Sequence, residues 1–273
     1  MSRSKILRFC TYIFASISFA FLAWLVLYIL FYGTPYLSWK LFELPYSSQN
    51  VSMMPAIITT VELVALTLLI AVPLGVFAGF YLVEYAGKNN RWVKIFRLAT
   101  STLAGVPSIV FGLFGMLAFV ITAHMQYSLL AGVLTLTIMI LPLIIRNTEE
   151  ALIAVDPRLR QASFGLGAGK LRTIFRVILP VAMPGILSGI ILGIGRIVGE
   201  TAALMYTLGT APSIPKHVLS QGRSLALHMY ILSTEGLHRN EAMATGVILL
   251  IVILIVNAVS SWLANKMRTI GGN

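Results

Sequence analysis

The chain has 273 residues, 58% of them hydrophobic and only 11% charged, with a formal net charge of +11 at pH 7. A soluble domain carries about 25% charged residues, so with a mean hydropathy of +0.90 the composition excludes a soluble globular protein. Repeated apolar runs near the roughly 20 residues that a bilayer-crossing helix needs predict an all-α membrane protein with six transmembrane helices.

The spans are expected at about 10–32, 57–82, 99–123, 128–146, 181–206 and 242–264. Residues 1–54 form a first unit: a basic tail, the first span, and an outer loop with Tyr36, Trp39, Phe42 and Tyr46, aromatics suited to a membrane interface. The first span is too long for a signal h-region and no small-residue cleavage site follows it, so no cleavable leader is expected. Span two carries Glu62 just inside its outer end, read as interfacial. A tight polar turn around His124, Gln126 and Tyr127 separates spans three and four. Residues 55–265 make up the membrane domain, with an inner loop at 147–180, and 266–273 form a short tail.

The distribution of charge gives the orientation. Six spans place fifteen Lys and Arg on one side: Arg3, Lys5 and Arg8; Lys88, Arg91, Lys94 and Arg97; six between Arg146 and Arg176; Lys266 and Arg268. Glu84, Glu149, Glu150 and Asp156 share that side, so the excess there already equals the net charge. The positive-inside rule predicts that both termini are cytoplasmic. The basic balance reports topology, and no nucleic-acid partner is expected.

Cys10 is the only cysteine, so no intramolecular disulfide is possible. The four histidines fall outside without ligand spacing, and no metal site is expected. No nucleophile, base and acid stand in a plausible strand-turn-helix order, so no catalytic residues are assigned.

The inner loop is the most informative stretch: "RNTEEALIAVDPRLRQASFGLGAGKLRTIFRVILPVAMPG", 146–185. Asp156-Pro157 marks a turn and a helix start. Two short helices then flank a Gly-rich bend at 165–169. "GAGKLR" is not a nucleotide-binding loop, because Phe164 stands where Gly is needed and Leu171 where Ser or Thr is needed. The loop reads either as an amphipathic segment on the inner membrane face or as a helix that docks into a groove of a soluble partner.

At these residues the sequence resembles the EAA loop of bacterial ABC-importer permeases: E-A-A, three residues, Gly, nine residues, I-x-L-P. Gln161, Ala162 and Ser163 stand for E-A-A, Gly167 for the glycine, and Val177-Ile178-Leu179-Pro180 for the ending. The departures are Gln for Glu, Ser for the second Ala and Val for Ile. "GVPSIVFGLFG", "LPLIIRNTEEAL", "GRIVGETAALMYTLG" and "SLALHMYILSTEG" are similar to A-type permeases of phosphate-specific ABC importers. The resemblance implies a six-helix core like that of methionine importers and a coupling helix seated in an ATPase subunit. It also implies a paralogous permease partner, two ATP-binding subunits that use ATP and Mg, and an extracytoplasmic phosphate-binding protein. No cofactor is expected on this chain, and the location implied is the bacterial inner membrane.

Within span five, Arg196 and Glu200 are the only charges between Val181 and Tyr206. At 1.5 Å per residue Arg196 lies roughly 22 Å along the helix, past the middle of a core about 30 Å thick. A charge there is disfavoured by about 2.5–3.5 kcal/mol on insertion scales, so it faces a bundle interior or a water-filled path. Four residues apart on one helix, the two can pair. The structural reading is an ion pair that neutralises itself. The functional reading is an anion path: Arg offers a planar fork for oxyanions, Glu200 orients or gates it, and Thr201 adds a hydroxyl. Gly185, Gly189 and Gly193, with Gly195 and Gly199, predict that span five is central. Residues 207–241 form the longest outer loop, read as a surface helix or as a binding-protein contact. The function expected is a phosphate importer permease. The alternatives are a sulfate or molybdate permease, or an ATP-independent secondary transporter.

Overall fold

The computed structural model describes residues 2–86 and 90–270, with side chains described for 8–86, 90–259, 261 and 262. The side chains of Arg3, Lys5, Lys88, Lys266 and Arg268 lie outside the described residues, as do residues 271–273 of the expected tail, whereas its residues 266–270 continue the last helix. Every regular element among the described residues is a helix. Helix α1 spans Ser2–Gly33. Helix α2 spans Met54–Phe80 and runs on through a π-helical turn at Tyr81–Tyr85. Helix α3 is Arg91–Ala104, and α4 is Ser108–Gly115 with a π-helical continuation to Thr122. Helix α5 spans Leu129–Ile153. Five helical runs are long and apolar enough to cross a membrane, and a bent pair supplies a sixth candidate.

That pair corrects the third span. Helices α3 and α4 meet at 104°. Pro107 disfavours helical geometry at Val106 and has no N–H to continue a helix. Helix α3 therefore turns aside, with Val93 buried and Trp92, Ile95 and Leu98 exposed. Arg97 pairs with Glu149 of α5 across the bend.

The order of burial also differs from expectation. Helix α5, rather than the fifth span, is the most buried of the crossing helices. Its neighbours approach it through their glycines. A Cβ at Gly75 would stand 2.6 Å from Ile144 Cγ2, one at Gly79 2.6 Å from Thr148 Cγ2, and one at Gly185 2.7 Å from Ala151 Cβ. The glycine faces thus mark the two helices that flank the centre. A side chain at Gly195 would meet nothing within 4 Å, so the glycines near Arg196 do not serve close packing. Gly79→Val is expected to destabilise the chain by about 1–3 kcal/mol through overpacking, whereas Gly195→Ala changes little. Thermal unfolding of the two variants checks this, and equal losses would contradict the packing order.

The inner loop holds one short helix rather than two. Helix α6, Pro157–Gly165, is capped by Asp156, whose Oδ1 accepts from Arg158 N at 2.9 Å. Gly167 makes the bend at φ +80°, a left-handed geometry that Gly adopts without penalty. Helix α7, Lys170–Thr173, is not separate. It passes through a π-helical turn at Ile174–Ile178 into α8, Leu179–Val198. Pro180 follows closely on that π-helical turn. The expected second helix is therefore the inner end of span five. Its Ile174 and Ile178 pack with Leu152 and Phe80.

Beyond α8 come a short α9, Ala202–Met205, an irregular stretch, α10 at Leu225–Glu235, and α11 at Arg239–Ile270. Helix α10 is not a surface helix. Leu225, Ala226, Leu227, His228 and Leu232 are all buried, and Leu225 N donates to Thr60 Oγ1 of α2 at 2.8 Å. The run "LALHMYIL" is apolar nearly all round, and such helices bury themselves.

Candidate functional site

The stretch expected as a straight fifth span is broken at residues 199–201. Helix α8 ends at Val198, and Gly199 and Glu200 close its last turn by donating to Gly195 O (3.2 Å) and Ile197 O (3.1 Å). The chain then restarts as α9. Non-helical backbone at membrane depth is tolerated only where protein buries it or where it lines a water-filled cavity. Here protein covers one side: Ala203, Leu204, Thr207 and Leu208 are fully buried. A Cβ at Gly112 of α4 would stand 2.8 Å from Ala203 Cα, so α4 braces α9 directly.

The break separates Arg196 from Glu200, and the expected i, i+4 pair does not form. Glu200 is 7% exposed and turns inward, where its Oε1 accepts from Ala203 N at 3.0 Å and caps α9. A carboxylate at a helix N-terminus satisfies a free backbone N–H there, so this glutamate holds the restart of the chain. Arg196 remains in the last turn of α8, half-buried, with neither an ion pair nor a hydrogen bond to any described residue. The Thr201 side chain makes no capping bond at the start of α9 and is half-buried. The arrangement is a lone guanidinium beside open glycines, with its former partner engaged elsewhere.

Glu62 is half-buried near the start of α2, and its Oε2 is buried without a partner among the described residues.

The loop residues separate into two faces. Gln161 and Ala162 are exposed on α6, and Leu166 beyond it is 89% exposed. Ser163 points inward and shares a 2.8 Å hydrogen bond with Thr173, so the serine that departs from E-A-A ties α6 to α7. Leu179 is half-buried and Pro180 exposed.

Two residues that sequence reading passed over fasten this loop. Arg160 donates from Nε and Nη2 to Glu84 Oε1 at 3.1 and 2.9 Å. Its Nη1 reaches Val155 O at 3.2 Å and its Nη2 reaches Leu152 O at 2.9 Å. Lys170 Nζ donates to Glu84 O and stands 4.2 Å over the Tyr85 ring. Glu84 belongs to the inner end of α2, so the exposed helix α6 is joined to the ends of both α2 and α5. The sequence offered only an acid near a span end and one arginine among several.

The model of the family described as "Binding-protein-dependent transport system inner membrane component" matches residues 71–269. Among similar curated proteins, "Probable ABC transporter permease protein YqgI" of Bacillus subtilis is 33% identical over 218 residues, 74% of each chain. "Phosphate transport system permease protein PstA" of Pasteurella multocida is 33% identical over 207 residues, 75% of this chain and 73% of that one. Among solved structures, the inward-facing MetNI methionine ABC transporter aligns with a TM-score of 0.61 at 18% identity, over 78% of this chain and 93% of that one. A bacterial alginate ABC transporter aligns at 0.69 and 15% identity, over 94% and 95%. At these identities the structures speak for the fold, which is the expected six-helix permease core.

Proposed function

Because the chain belongs to the family of binding-protein-dependent transport system inner membrane components, and is a multi-pass ABC-importer permease, we propose that it moves inorganic phosphate into the cytoplasm in an ATP-driven importer. The observation that carries this reading is Arg196, a half-buried cation without a partner among the described residues, beside a break in a membrane helix. Discontinuous helices of this kind surround substrate sites in other transporters. A guanidinium with free donors suits an oxyanion that must leave again. The similar protein from Pasteurella multocida, named as a phosphate permease, supports phosphate among the oxyanions.

On this reading residues 55–265 are the transport domain. Arg196 and Thr201 face the path, while Glu200 positions the segment that bounds it. The exposed side of α6, with Gln161 and Ala162, meets an ATP-binding subunit, and Ser163, Gly167, Leu179 and Pro180 set the shape of that loop. Two such subunits use ATP and Mg, and this chain holds no cofactor of its own. A paralogous permease completes the path, and an extracytoplasmic phosphate-binding protein delivers the anion. The excess of positive charge on the side of α6 puts that side, and both termini, in the cytoplasm.

Radiolabelled phosphate uptake into proteoliposomes containing the whole assembly tests the proposal. Uptake is expected only with ATP, and sulfate or molybdate in tenfold excess is expected to compete weakly. Strong competition would move the assignment to another oxyanion. Uptake without ATP would overturn the importer reading in favour of a secondary transporter.

A further inference from the structure

A second arginine lies at the opposite end of the bundle from α6, and nothing described so far gives it a task. Arg223 precedes α10 and is only 5% exposed. No described carboxylate forms an ion pair with it. Its guanidinium carbon stands 5.3 Å from the centre of the Tyr46 ring. Nε and Nη2 remain buried with no partner among the described residues. Those two nitrogens form one edge of the guanidinium, the same edge that Arg160 presents to Glu84. An edge of two parallel N–H groups fits two oxygens of a single carboxylate or phosphate.

His228, one turn further along, packs edge-on to the same Tyr46 ring at 6.2 Å. Its Nε2 is likewise buried and without a partner among the described residues. Burial, and then the neighbouring Arg223 charge, pushes this imidazole down to about 3, while a hydrogen bond to the Val51 backbone favours its protonated form. The ring is therefore neutral near pH 7, donating to Val51 and leaving a lone pair on Nε2. Buried polar groups are nearly always satisfied, and a buried charge without a counter-charge is strongly disfavoured. Here three unsatisfied nitrogens lie about one tyrosine ring.

Tyr46 also lines a cavity of about 430 Å³, with Ser213 and Lys216 on its wall. Lys216 is exposed at that surface. Ser224, next in the chain to Arg223, has its Oγ 3.5 Å from Glu200 O at the break in span five. Tyr46 is thus common to the cluster and the cavity wall, and the residue after Arg223 touches the break in span five.

We propose that Arg223 and His228, behind Tyr46, form a site for a protonated oxyanion, hydrogen phosphate, which the permease holds before it reaches Arg196. The Arg223 edge takes two anionic oxygens. The P–OH group donates to His228 Nε2, a bond that sulfate cannot make because it carries no proton at neutral pH. The choice of phosphate rests on the proposed function, whereas the anion site itself does not.

The test is thermal unfolding of the assembled importer in nanodiscs, with Arg196→Gln as background so that the path arginine contributes nothing. Inorganic phosphate and sulfate are the probes, at matched ionic strength. Phosphate at about ten times its dissociation constant is expected to raise the midpoint by about 3 °C, with a much smaller rise for sulfate. Arg223→Met should abolish the rise without lowering the unliganded midpoint, because it removes an unpaired buried charge. Arg223→Lys, which keeps the charge but loses the two-pronged edge, should retain the fold and lose most of the rise. A phosphate shift that survives in Arg223→Met, no shift in the background protein, or equal shifts with sulfate would each overturn the proposal. Wild-type uptake is read separately, so failure of the phosphate-import reading is distinguishable from failure of this site.

Discussion

Arg196→Gln is expected to lower ATP-dependent phosphate uptake by about 100-fold or more. A charge-assisted hydrogen bond contributes about 1.5–3 kcal/mol, and a guanidinium offers an oxyanion two of them. Glutamine keeps an N–H donor on a shorter side chain but removes the charge that draws the anion into an apolar interior. Stability should hardly change, because no described residue forms an ion pair with Arg196 that its loss would strand. An ion pair with Glu200 would give the opposite pattern, lost stability with transport largely retained. Glu200→Gln sharpens the contrast. Glutamine can still accept from Ala203 N as Glu200 Oε1 does, so this variant should keep much of its uptake. Glu200→Ala, which uncaps α9, should lose about 1 kcal/mol of stability and transport with it. Uptake rates and unfolding midpoints for these three variants decide the matter. Full uptake by Arg196→Gln would remove this arginine from the path.

The second large effect is expected at Arg160. Removing one partner of a buried ion pair costs about 3–5 kcal/mol. The Glu84 side chain is 9% exposed but that of Arg160 is 20% exposed, so the cost here is nearer about 2–3 kcal/mol on the same scale. Arg160→Met also frees the Val155 and Leu152 carbonyls that it now binds. The functional consequence is larger than the loss of stability. With the arginine gone, α6 no longer pulls on the inner ends of α2 and α5, while its outward face remains intact. ATP hydrolysis by the assembly should persist while phosphate moved per ATP falls about tenfold, equivalent to ~1.4 kcal/mol of lost coupling. Arg160→Met, Glu84→Gln and the double variant form a cycle that isolates the pair from its neighbours. Normal stoichiometry in Arg160→Met would make the pair a fastener only.

The two arginines mark where sequence and fold divide the work. The class of protein and the number of crossings were legible because they depend on local composition, above all on apolar run length. The E-A-A-like spacing was legible for a similar reason, since a helix, a left-handed glycine at 167 and a following helix are set within about twenty residues. Arg196 stood out as a charge in an apolar run. What it touches did not, because the i, i+4 rule holds only while the helix continues, and "VGET" ends it. That break depends on α4 packing against Ala203, and on Glu200 finding a backbone N–H to cap.

Tertiary structure alone decided which helix is central. Glycine faces say that a helix is closely approached, and only the packing shows that α5 is what approaches it. It likewise decided that "SLALHMYIL" is buried, that α3 turns aside before Pro107, and that Glu84 meets Arg160 across 76 positions of chain. The fold alone encloses Arg223. Local sequence fixes what each segment can be, through hydrophobicity and backbone preference acting over a few residues. Which charge is paired, which is buried and which is left free depends on contacts between segments far apart in the chain, and only the assembled fold supplies those.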